Sequence, residues 1–160
     1  MVKGLEIKMN KDVLIFLSFK NHKTGYYSVL FNPLKEREKD YGLTLYQGSL
    51  KDAHIEIIDN KLEVTESQTG RRLDTFSAVS FELWLKSPQQ ALAVATYLDR
   101  KHIPFRGHEA LNVLCSTKIG ELVRMSDQGL PLPRSFMSST KEILQVFKAD
   151  PPIQFPFIAK

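Results

Sequence analysis

Val13-Leu14-Ile15-Phe16-Leu17-Ser18-Phe19 is an unbroken apolar run of strand length. A strand that is apolar at every position suits the middle of a parallel sheet, where both faces are covered. The run ends in Asn21-His22-Lys23-Thr24-Gly25, a cluster of turn residues. Tyr26 to Phe31 reads equally as helix or strand, and Leu34 to Tyr41 reads as a polar helix closed by Gly42. The mixed charges of Lys35 to Asp40 are read as a solvated helix face.

The next part is rich in strand patterns. Leu43 to Tyr46 is a short strand. Ile55-Glu56-Ile57 and Lys61-Leu62-Glu63-Val64 alternate on either side of Asp59-Asn60, the pattern of a hairpin. Thr69-Gly70 marks a second turn. The arginines that follow, Arg71 and Arg72, are expected at a solvated hairpin end rather than in a phosphate clamp. Phe76 to Leu85 alternates as a further strand.

From Ser87 helices alternate with strands. Ser87 is placed to cap a helix and Pro88 to occupy its first position. Ala91, Val94, Ala95 and Leu98 fall on one stripe. Ile103 to Phe105 is extended, and a brief helix lies near Ala110. Ser116 or Thr117 opens a helix with Ile119, Leu122, Val123 and Ser126 on one side, and Gly129 ends it. Leu130-Pro131-Leu132-Pro133 cannot be helical. Arg134 to Met137 is a short strand. Ser139-Thr140-Lys141-Glu142 has the form of a capping box. Pro151-Pro152 stops the helix that follows, and Phe155 to Ala159 is a last strand before Lys160.

The bulk numbers fit a folded α/β chain. Of 160 residues 42% are hydrophobic, enough for a core. The net charge of +4 is small and its charges are interspersed, so a nucleic-acid interface rests on basic balance alone and is not expected. The single cysteine, Cys115, cannot form an internal disulfide and reads as a buried structural thiol, which places the chain in a reducing, cytoplasmic compartment. No stretch has the roughly 18 apolar residues of a membrane span, and no signal-peptide core is visible. His22, His54, His102 and His108 lack metal-ligand spacing.

Five pieces of the final third occur in a set order: Ser116-Thr117-Lys118; Gly129-Leu130-Pro131-Leu132-Pro133; Ser135-Phe136-Met137; Ser139-Thr140-Lys141-Glu142; and Phe155-Pro156-Phe157-Ile158-Ala159-Lys160. In order and spacing this segment resembles the opening of the ATP-grasp fold. Residues 1–114 look more loosely like the pre-ATP-grasp domain that precedes it, on the order of their elements. The resemblance implies a small α/β sheet with flanking helices in residues 1–114 and an incomplete nucleotide-binding lobe in residues 115–160. It also implies ATP and Mg²⁺ as cofactors, and a carboxylate substrate activated as an acyl phosphate for attack by an amine or thiol. Lys118 and Lys160 match the family's two nucleotide-contacting lysines. The family's glycine-rich loop, acidic magnesium ligands and acyl-phosphate arginines are not recognisable in these 160 residues. The chain is therefore expected to be a portion of a longer ligase and not to be catalytic or to bind nucleotide tightly alone. The alternative is a non-catalytic interaction module, including a homodimer, which an exposed apolar patch around Trp84 and Phe81 would favour.

Overall fold

The computed structural model describes residues 11–17, 26–81, 87–112 and 118–149. The chain is mixed α/β, as the alternation predicts. It has a four-stranded parallel sheet and a three-stranded antiparallel sheet.

The parallel sheet has the order β2-β1-β5-β6. Its strands are β1 (Lys11–Leu17), β2 (Leu43–Ser49), β5 (Ala78–Phe81) and β6 (Phe105–Arg106). The apolar run thus forms an inner strand, paired with β2 along seven residues and with β5 along four. Leu14 and Phe16 are buried on one face with Val79 and Phe81 beside them. Strand order reverses at β1 and β5, the place where open α/β sheets bind ligands beyond their strand ends. Asn21–Gly25 and Trp84, both near those ends in sequence, lie outside the described residues.

Helix α1 (Tyr26–Glu36) follows β1, so the ambiguous stretch is helical. A 3-10 turn at Glu38–Tyr41 comes next and Gly42 closes it at φ 61°. The charges here do more than meet solvent. Glu38 Oε2 accepts the Leu45 N–H at 2.8 Å, and Lys35 Nζ donates to the Leu45 carbonyl at 2.8 Å. Among the described residues β2 is an edge strand, and these two side chains satisfy backbone groups on its open side. The Leu45 N–H, then Lys35, hold the Glu38 carboxyl below its ordinary range.

The antiparallel sheet has the order β4-β3-β7, from β3 (His54–Ile58), β4 (Lys61–Thr65) and β7 (Ser135–Met137). The predicted hairpin turns at Asp59 (φ 49°) and Asn60 (φ 61°), the left-handed pair a two-residue turn needs. Ile55, Ile57, Leu62 and Val64 point inward and are buried.

Helix α2 (Pro88–Arg100) lies against this inner face. Its predicted stripe of Ala91, Val94, Ala95 and Leu98 is fully buried, and Leu92, Ala93 and Tyr97 are buried as well. A helix apolar almost all round needs cover on more than one side. Pro88 opens it as expected. Ser87 does not cap it with its hydroxyl; its carbonyl accepts the Ala91 N–H at 2.9 Å.

Helices α3 (Lys118–Asp127) and α4 (Thr140–Ala149) complete the described chain. β7 pairs with β3, with Glu56 opposite Phe136. Ser138 Oγ donates to the Asp52 carbonyl at 3.0 Å. Phe136 meets the ring of Phe147 on α4 and that of His54. Residues 118–149 are therefore built onto the hairpin of the first unit.

Candidate functional site

Lys118 is the first residue of α3. Its side chain is 73% exposed and its ammonium lies 3.8 Å from Glu121. Such an exposed i,i+3 pair is worth only about 0.3–0.5 kcal/mol, so it leaves the lysine able to turn to a phosphate. Lys160, expected at a strand end, lies outside the described residues, as do Ser116, Thr117, Cys115 and Phe155 to Ala159.

Between the two lysines the expected turn chemistry is present. Gly129 has φ 68°, its N–H meets the Ser126 carbonyl at 3.2 Å, and the Leu130 N–H meets that of Met125 at 3.1 Å. This pair of bonds is a Schellman motif, which a glycine accommodates without strain. Ser139 Oγ accepts the Glu142 N–H at 3.4 Å, the first half of the capping box. The Glu142 carboxylate also lies 3.6 Å from His54 Nε2.

Among the described residues a dense set of polar side chains gathers around Arg72. Arg72 binds both oxygens of Asp74, at 3.1 and 2.6 Å, and lies 3.2 Å from Glu63. The Tyr97 hydroxyl donates to Glu63 at 3.2 Å and accepts from Arg72 at 3.4 Å. Lys101 sits over the Tyr97 ring and 3.8 Å from Asp74. Lys61 and Glu63 line both of two clefts. One, of about 360 Å³, runs from Asn60 and Lys61 to Ser126 and Gly129; the other, of about 340 Å³, lies on the outer face of the hairpin.

Within the cluster the partners answer one another. Arg72 is engaged by two carboxylates and a phenol at the protein surface. Bonding to Asp74, then to Tyr97, holds it protonated well above its ordinary range. Burial raises Asp74, but Arg72 and its neighbours outweigh burial and leave it lowered. Burial also pushes the Tyr97 phenol well above its usual value; Glu63 and Asp74 act in the same direction, against Arg72. The neighbouring Arg71 is equally committed. It stacks over Phe76 at 4.2 Å and Tyr46 at 5.0 Å, and donates to Asp12 at 2.9 Å. Arg71 corrects the expectation of a solvated hairpin end, whereas Arg72, with its side chain 49% exposed, keeps to it while pairing with Asp74 and Glu63. Their signal was faint: two arginines after a turn look alike whether they face water or aromatic rings.

A raised phenol pKa favours the folded state below the unfolded value of about 10 and loses that advantage as pH climbs above it. Urea melts between pH 8 and 11 should show stability declining above pH 10, with Tyr97 contributing up to about 1.4 kcal/mol per pH unit. Tyr97→Phe is expected to flatten that decline. Equal slopes in both proteins would show that Tyr97 is not the buried phenol responsible.

No helix among the described residues is long and apolar enough to cross a membrane. Compared with protein-family models, curated proteins and solved structures, the chain matches none.

Proposed function

We propose that this chain is the N-terminal portion of an ATP-dependent ligase that joins a carboxylate to an amine or thiol. In that chemistry the carboxylate oxygen attacks the γ-phosphorus of ATP, ADP leaves, and the acyl phosphate is opened by the nucleophile with release of phosphate. Lys118 and Lys160 serve the nucleotide, since an ammonium is a compact point charge suited to phosphate oxygens. Mg²⁺ and the acyl-phosphate contacts come from polypeptide beyond these residues.

The observation that carries the reading is the run of elements from Lys118. A helix starts on that lysine and ends in a glycine-closed Schellman motif, followed by a proline-bounded extended segment, a short strand and a serine-capped helix. It follows an α/β unit of sheet and helices, the kind of unit the resemblance implies. Arg71 and Arg72 each already pair with carboxylates of this chain, Asp12 for the first and Asp74 and Glu63 for the second.

Calorimetric titration of ATP with Mg²⁺ into the longer protein tests it. Lys160→Ala and Lys118→Ala should each weaken binding about tenfold, the scale of one lost charge-assisted contact. Unchanged affinity in both variants, or a reading frame that stops at Lys160, would sink the proposal.

A second reading, an interaction module, draws on α4. None of its residues is fully buried, and Leu144 is 57% exposed. Phe81 does not supply the exposed patch that would favour that reading, since it is buried in the core. Sedimentation across a wide concentration range discriminates, since a monomer throughout removes homodimerisation.

A further inference from the structure

Pro131-Leu132-Pro133 has one backbone donor, the N–H of Leu132, because proline has none. A buried donor must find a partner. Leu132 finds it 72 residues away, at Asn60 Oδ1, 2.7 Å distant and partly buried. The carbonyl of the same Asn60 accepts the Ser126 hydroxyl at 2.9 Å, and Ser126 is itself buried. One residue at a hairpin tip thus holds both the end of α3 and the proline segment after it.

The tip is suited to this. Asp59 and Asn60 both have positive φ, which asparagine and aspartate tolerate better than most residues. Arg100 of α2 also pairs with Asp127 at the same end of α3. The rest of the segment is anchored elsewhere, by the β3–β7 ladder and by Ser138 on Asp52.

We propose that Asn60 is a positioning residue: it sets how α3 lies against the β3–β4 hairpin, and so where Lys118 is presented. The second step rests on the reading of Lys118 as a nucleotide contact. A ten-residue helix is about 15 Å long, so a tilt of about 10° at its held end moves the other end by roughly 2.5 Å. A displacement of that size exceeds the tolerance of a preorganised contact.

Amide hydrogen exchange on this chain, followed residue by residue, tests the proposal without nucleotide. Asn60→Gly keeps the left-handed turn and the carbonyl that Ser126 bonds, but removes the side-chain acceptor of the Leu132 N–H. The Leu132 amide, and those of Gln128 to Leu130, should exchange about tenfold faster, while β1 and β5 stay unchanged. Asn60→Asp keeps both the turn and an acceptor oxygen and should restore the original rates. Ser126→Ala should speed exchange at the end of α3 alone. The role is overturned if Asn60→Gly leaves Leu132 unchanged, if glycine and aspartate are equally impaired, or if the gain spreads evenly to the parallel sheet. None of these outcomes depends on whether Lys118 meets a nucleotide.

Discussion

Gly107→Ala is expected to destabilise the chain by about 3 kcal/mol and to lower its melting temperature by roughly 10 °C. Gly107 joins β6 to the 3-10 turn at His108–Asn112, with φ at 117°. A side chain is strained at that angle before it touches anything, at a cost of about 1–3 kcal/mol. It would also collide. A β-carbon there would stand 2.6, 2.8 and 2.9 Å from three carbons of the Phe81 ring. That ring is 1% exposed and stacked on Phe105 with 7° between the planes, and Phe105 is pressed by His108 at 3.9 Å between centroids. It has little room to withdraw. Gly70 supplies the control, with φ 67° and nothing within 4 Å of an added β-carbon. Gly70→Ala should cost only the backbone strain, about 1–2 kcal/mol. Urea melts of the two variants separate strain from collision. Adding Phe81→Leu to Gly107→Ala should recover part of the loss. Equal losses at both glycines would remove the Phe81 ring from the explanation.

The elements that sequence reading placed well are those whose physics is local. The run at Val13 to Leu17 needed only its unbroken apolar character to read as an inner strand. The hairpin at Asp59-Asn60 and the helix end at Gly129 each follow from residues that tolerate positive φ. The features it missed depend on contacts distant in the chain. Phe136 opposite Glu56 joins segments eighty residues apart, and nothing in the periodicity of Ser135 to Met137 names β3 as its neighbour. Glu38 and Lys35 look like any exposed i,i+3 pair until β2 presents its Leu45 backbone to them. The candidate site divides in the same way. Lys118 stands at the head of a helix as its capping residues suggested. Asn60, by contrast, looked like a turn residue, and its hold on Leu132 becomes visible only when the Pro131–Pro133 segment is laid beside it.

Glu66→Ala should cost about 4 kcal/mol, the second large loss, for a reason opposite to that at Gly107: it removes a centre around which the chain is wrapped. Glu66 is fully buried. One carboxylate oxygen accepts the Gln68 N–H at 3.0 Å; the other accepts the Thr69 N–H at 2.7 Å and the Thr69 hydroxyl at 2.9 Å. Its own N–H and carbonyl bond Arg71 and Gly70 across the same turn. Its methylene lies against Gly48 of β2, where an added β-carbon would be 3.1 Å away, next to Phe16. Alanine would strand three donors that face the carboxylate. Unsatisfied buried groups cost about 1–3 kcal/mol each, and water entering the gap would return part of that. Glu66→Gln preserves the volume and one acceptor oxygen. Its amide N–H₂ then confronts a donor, so a loss of about 2 kcal/mol is expected. The turn also launches Arg71 toward Asp12 and Phe76, and Arg72 toward Glu63, Asp74 and Tyr97. Glu66→Ala should therefore raise amide exchange from Gln68 through Thr75 more than in α3 or α4. Urea melts and exchange on the two variants check both parts. A loss below 1 kcal/mol for Glu66→Ala, or equal losses for alanine and glutamine, would mean that the carboxylate is not what holds the turn.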